Sequence, residues 1–304
     1  MSSFFTNLFK NSRNKIMLQI FLSYLFSFLI AIFVYMLFVL SKAPKESIAP
    51  ANSLYNTLYI LGIILIETII LIGLLKAFKR INLIKIIDVI VTLFAVFGLL
   101  SFFINSLIWL FLISVGVVVI KEIWHNFWFK NFLVFLVVGF FSAYIGYTIG
   151  IIPILVLLIL IGIYDYISVF KTKHMVFLAK KIINKNTLFV MDFGQRVAKT
   201  VKETVKNPEH KEQEQNLKKN INPKIRNHLN LGTGDFALPL MAVMTIFAAN
   251  TIFGIIAFFA ALFGLELTIW LLFSKKHLAL PAIPLQVICL LIVYGAYFLY
   301  VLIW

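Results

Sequence analysis

LGTGDFALPLMAVMTIFAAN, residues 231–250, opens on a glycine-spaced turn and then runs apolar for the length of a bilayer crossing, carrying Asp235 in with it. A span needs about 20 mostly apolar residues to cover about 30 Å of hydrocarbon. Nine such runs can be counted, near residues 17–40, 54–76, 82–104, 106–121, 131–149, 151–170, 231–250, 251–273 and 281–304. With 62% hydrophobic residues and a mean hydropathy of +1.00, the composition lies outside the soluble range. The expected fold is an all-α polytopic membrane protein of about nine transmembrane helices. The first run is longer than a signal-peptide core and is followed by no small-residue cleavage site, so it is expected to remain as a membrane helix. GIIP (149–152) and AANT (248–251) are so short that the spans flanking them must form tight antiparallel hairpins.

Charge supplies an orientation. With the N-terminus cytoplasmic, all but Lys42 and Lys45 of the 27 basic residues fall on the inside, the pattern the positive-inside rule favours. Nine spans then put the C-terminus outside. The chain divides into an N-terminal six-helix part (1–170), a basic loop (171–230) and a C-terminal three-helix part (231–304). The loop has fourteen basic and five acidic residues and supplies +9 of the net +15. It lacks the interleaved aromatics of a base-stacking surface, so no nucleic acid is expected; anionic lipid head groups are the expected partner. Within it HMVFLAKKI (174–182) reads as a short interfacial helix, NTLFVMDF (186–193) as extended and KNPEHKEQEQNLKKN (206–220) as disordered. Cys289 is the only cysteine, so there is no internal disulfide and no thiolate metal cluster; neither a cofactor nor a metal is expected.

Acids are expensive in hydrocarbon, so each needs a reason. Asp88 lies within a turn of Lys85 and reads as a local ion pair. For Glu67 and Glu266, a proton path and a buried hydrogen-bonded pair account equally well. Asp165 and Asp235 differ because their depths match. Asp165 precedes Lys171 by six residues, about 9 Å of helix, and Asp235 lies about four residues, or 6 Å, inside a span running the other way. Both carboxylates then occupy the cytoplasmic third of the membrane and meet if the sixth and seventh spans are neighbours.

Two carboxyls at close range cannot easily both ionise, so they share a proton and act as one base and one acid. That pair can split an amide with water, without a nucleophilic Ser or Cys. The sequence has no HExxH pair and no GxSxG elbow. GTGDFA fits the GxGxxG/A dinucleotide fingerprint through Gly232, Gly234 and Ala237, but the fingerprint belongs after a buried strand and before a soluble helix. Here polar KIRNHLN precedes it and a membrane span follows. Gly232 and Gly234 instead permit close packing, which would bring Asp235 to Asp165. At the same depth Pro281 and Pro284 of LALPAIPLQ (278–286) interrupt the helical ladder, a break tolerated where backbone lines a cavity.

YD at 164–165, GTGD at 232–235 and LPAIP at 280–284 together resemble the presenilin and signal peptide peptidase family of intramembrane aspartyl proteases. DYISVFKTKHMVFLAK (165–180) looks like the archaeal presenilin homologues. The resemblance implies that Asp165 and Asp235 are the catalytic dyad with Tyr164 beside the first. It makes Gly232 and Gly234 packing residues of the second motif, and Pro281, Ala282 and Ile283 the PAL-type element. Ile283 stands where leucine is usual, a volume-conserving change. The cytoplasmic N-terminus is presenilin-like, which implies single-span membrane protein substrates with outside N-termini, at an enzyme of the cell membrane. An unwound substrate would find strand-like hydrogen bonding at NTLFVMDF or LPAIP. Two rival readings compete: a proton-coupled transporter or ion-leak channel, although no internal repeat is seen, and a prepilin or preflagellin peptidase, although FALP replaces the basic residue expected after that aspartate.

Overall fold

The computed structural model describes residues 12–42, 59, 62, 83–124, 127–170, 190–194, 228–274 and 281–303. Eight helices and two strands follow in order: α1 Ser12–Leu40, α2 Leu83–Leu100, α3 Leu107–Ile123, α4 Phe127–Thr148, α5 Ile151–Phe170, β1 Val190–Gly194, β2 His228–Gly232, α6 Gly234–Ala249, α7 Thr251–Ser274 and α8 Ile283–Ile303. Helix is what such sequences must adopt in lipid, where every backbone N–H and C=O has to be satisfied within its own segment. Four stretches are long and apolar enough to cross a membrane: Asn14–Leu40, Trp128–Thr148, Thr251–Ser274 and Ile283–Ile303. Ile151–Ile167 and Gly234–Ala249 are shorter apolar helices. Apart from residues 59 and 62, the run at 54–76 with Glu67 lies outside the described residues, as do the loop segments at 174–182 and 206–220.

The bundle is organised around α6. Its residues from Leu240 to Phe247 are almost all buried, so it has no single apolar stripe. A helix apolar all round belongs inside. It is surrounded by α1, α4, α5, α7 and α8. Close approach to α4 depends on Gly146, where a Cβ would sit 2.6 Å from that of Met244. On the α1 side, Tyr24 packs between Phe236 and Phe258 with ring centroids 5.2 and 5.4 Å away.

One of the two short turns forms the expected tight hairpin, with α6 packed on α7; across GIIP the expectation is corrected, since α4 and α5 diverge and each packs on α6 instead. Between α6 and α7 the extended residue Asn250 ends one helix through its N–H, given to Ile246 C=O at 2.8 Å. Its Oδ1 caps the next by accepting the N–H groups of Ile252 and Phe253 at 3.0 and 3.2 Å. Between α4 and α5, Pro153 falls in the first helical turn, where an N–H has no intrahelical acceptor to lose.

The helical fold carries one small sheet: β1 and β2 pair antiparallel, with Val190 opposite Gly232 and Gly194 opposite His228. NTLFVMDF is therefore extended over its described part, and residues 231–232 are strand, not the start of a span. Asp88 does not pair with Lys85. It faces α3, where buried Lys121 Nζ reaches its Oδ2 at 2.5 Å and Thr92 Oγ1 at 3.2 Å. Exposed Lys85 instead meets Glu122 at 2.6 Å. Helix spacing would allow the Lys85–Asp88 pair, since residues three apart are neighbours, so packing decides the exchange: Asp88 and Thr92, one turn apart, both face Lys121 across the α2–α3 contact. Finally, Pro281 and Pro284 do not break a helix. Pro281 precedes α8 and Pro284 is its second residue, so they open the helix where it lacks amide acceptors anyway.

Candidate active site

Asp165 lies in the penultimate turn of α5 and is buried, 5% exposed, although α5 shows Tyr164 and Tyr166 outward at about half exposure. Consecutive helical side chains point about 100° apart, so Tyr164 adjoins Asp165 in sequence while facing another direction. Gly162, one turn earlier, approaches Val287 of α8. Carboxylate oxygen Oδ2 of Asp165 accepts the N–H of Ile283 at 3.3 Å. That N–H belongs to the first residue of α8, one of the amides a helix leaves without an internal partner. Ile283 thus serves through its backbone, which explains why the leucine-to-isoleucine departure is compatible with the element. Pro281, Ala282 and Ile283 are all buried.

Asp235 arrives from the other side. β2 ends at Gly232, Thr233 turns, and α6 begins at Gly234, with Thr233 C=O accepting the N–H groups of Phe236 and Ala237 at 3.2 and 2.9 Å. Asp235 is the second helical residue rather than the fourth or fifth. An acid there complements the positive end of the helix dipole. Its carboxylate also accepts the Gly232 N–H. A Cβ on Gly232 would stand 3.3 Å from Asp235 Oδ2, so this glycine makes room for the acid's own side chain. No described atom lies within 4 Å of a Cβ at Gly234, so a packing role for it has no counterpart among the described residues. GTGD does follow a strand and open a helix, contrary to the sequence argument, but β2 belongs to a two-stranded antiparallel sheet and not to the parallel unit of a dinucleotide fold.

α5, α6 and the start of α8 converge, and the carboxylates of Asp165 and Asp235 come close enough to repel each other. Two further residues escaped sequence reasoning. Gln286, wholly buried in α8, donates from Nε2 to the C=O groups of Asp235 and Ala282, both at 3.1 Å. Tyr294 Oη donates to Ala242 C=O at 2.7 Å and ties α8 to α6 farther along. A glutamine within a membrane span is itself a sequence signal, since it needs a partner there. The tyrosine gives no such sign. Among the described residues no three His, Cys, Asp or Glu side chains converge as metal ligands would.

The family model for signal-peptide peptidase and presenilin aspartyl protease matches residues 20–296. The chain belongs to this family. It is accordingly an intramembrane aspartyl protease and an integral membrane protein. Two solved structures described as a presenilin family intramembrane aspartate protease, in C222 and P2 crystals, share its fold. Their TM-scores are 0.60 and 0.59 and their identities 18% and 21%; each match covers 92% of this chain and 97% of the other. No curated protein matches the chain. Within this presenilin-like fold, both aspartates named from sequence flank one buried junction, with the Pro281–Ile283 element touching the first.

Proposed function

We propose that Asp165 and Asp235 are the catalytic pair of this protease and hydrolyse peptide bonds within transmembrane segments of single-span proteins. Support comes from the mutual approach of the two carboxylates in a buried junction, each with one backbone N–H donor. The pair holds one proton between them. The charged carboxylate takes a proton from water as its oxygen attacks the scissile carbonyl carbon, and the protonated one gives its proton to the carbonyl oxygen, forming a gem-diol. Collapse of the diol breaks the C–N bond, and the proton taken from water passes to the leaving nitrogen. Pro281, Ala282 and Ile283 hold Asp165 in position, while Gly232 leaves space for Asp235.

Nine spans with the second at 54–76, a cytoplasmic N-terminus and an outside C-terminus complete the proposed topology, with the site in the cytoplasmic third of the cell membrane. The three-part division at 170 and 230 follows from it, with the basic loop lying on anionic head groups. Substrates then carry outside N-termini. A substrate helix hides its carbonyls in its own hydrogen bonds and must unwind before water can attack. Strand β1, paired to the segment that leads directly into Asp235, offers an edge for the unwound stretch to join.

The test is cleavage of a single-span substrate by purified, reconstituted protein beside Asp165→Asn and Asp235→Asn. These changes remove charge with little change of shape. Cleavage by the parent and by neither variant is expected; cleavage retained in either would refute the pairing.

A further inference from the structure

We propose that Gln286 is a positioning residue that sets the spacing of the two aspartates by joining the Asp235 carbonyl to the Ala282–Ile283 peptide group. The inference rests on the dyad reading above. It starts from Pro239, four residues after Asp235 and inside α6. In a helix the C=O of residue 235 would accept the N–H of residue 239, but proline has none, so the Asp235 carbonyl is left over in a buried, water-poor setting. Gln286 Nε2 fills that vacancy at 3.1 Å.

The same nitrogen gives its second hydrogen to Ala282 C=O, also at 3.1 Å. Ala282 C=O and Ile283 N–H are two ends of one peptide group, and the N–H end donates to Asp165 Oδ2. One side chain thus connects both aspartates: the backbone of Asp235 through its amide, and the carboxylate of Asp165 through the peptide it braces. A donor at the carbonyl end of a peptide group also polarises it and strengthens its N–H as a donor. The amide's orientation is set by its surroundings, since only nitrogen can face two carbonyl oxygens. Its Oε1 finds no donor among the described residues, although it is buried. A side chain placed there only to fill space would be better apolar, so what Gln286 contributes is its two donors.

Gln286→Met keeps the length and loses the donors. With reconstituted protein and a single-span substrate, kcat is expected to fall about 10- to 100-fold, the size of effect that follows misplacement by about 1 Å, with KM within about twofold and thermal stability near parental. A residue that merely packs α8 would instead lower stability and leave kcat per folded molecule unchanged. Gln286→Glu, which turns an acceptor toward both carbonyls, is expected to lose at least as much as Gln286→Met. The decisive arm is Pro239→Ala, which supplies the missing N–H. In that background Gln286→Met is expected to lower kcat at least about fivefold less than in the parent, a non-additivity that independent sites do not show. Parental kcat in Gln286→Met, or equal effects in both backgrounds, overturns the bridge while leaving the dyad intact. Cleavage by Asp165→Asn or Asp235→Asn would overturn the dyad and the bridge with it.

Discussion

Gly264 of α7 lies against the start of α8 so closely that a Cβ there would sit 2.7 Å from the Gln286 Cα, 2.9 Å from its N and 3.0 Å from Leu285 O. All three atoms are backbone, so no side chain can swing aside. Ordinary carbon contacts begin at about 3.4–3.5 Å, so Gly264→Ala must push the first turn of α8 away from α7 by about 0.7 Å. The Ile283 N–H to Asp165 bond is already 3.3 Å long, and a shift of that size along its direction stretches it to about 4 Å, beyond hydrogen-bond range. Displacement of a positioning element by about 1 Å is worth about 100-fold in rate. Gly264→Ala is therefore expected to lower kcat about 10- to 100-fold in the reconstituted cleavage assay, with the protein still folded and extracted normally. Gly295→Ala is the control. It lies on an exposed part of α8 with no described atom within 4 Å, and replacing glycine there gains about 0.5–1 kcal/mol of helix propensity. Parental kcat in Gly264→Ala would refute the reasoning, because it would mean that α8 absorbs the methyl group without moving its amide.

A dyad holding one proton predicts a bell-shaped dependence of kcat/KM on pH: activity is lost on the acid side as the second carboxyl is protonated and on the alkaline side as the shared proton departs. A rate that stays flat across both limbs would argue against it. Lys121→Met removes one partner of the buried pair with Asp88 and is expected to destabilise by about 3–5 kcal/mol, most of it recovered in Asp88→Leu/Lys121→Met; thermal unfolding in detergent reads this, and equal stability of the single variant and the parent would contradict it. Proline placed successively through β1 removes ladder and edge donors and is expected to slow cleavage, whereas unchanged rates at every position would dismiss the edge-pairing of substrate.

The helical skeleton was legible because length and composition decide it: eight described helices match eight of the nine apolar runs, usually within a few residues. What misled was local. Residues 231 and 232 look apolar enough to extend a span, yet they form strand because β1, more than thirty residues upstream, pairs with them. Pairing across such a separation leaves no mark in either segment's periodicity. Asp88 presented the same difficulty on a smaller scale, since Lys85 is nearer in sequence and Lys121 is nearer in space.

The site divides along a similar line. The two aspartates were visible because an acid in an apolar run is rare and because depth can be computed from helix rise. Their supports were harder to read because they are made of backbone. Sequence marks where proline removes an N–H, at 239, 281 and 284, but not which group then fills the gap. Pro281 and Pro284 pointed to broken helix, whereas they define a helix start whose free amide is aimed at Asp165. Pro239 lies inside α6. Its consequence, an orphaned carbonyl at Asp235, becomes informative only when Gln286 is found opposite it. In a bilayer every such orphan needs a donor from somewhere. For an intramembrane helix, each proline therefore names a carbonyl four residues earlier, and the side chain that answers it belongs among the candidates for the site's framework.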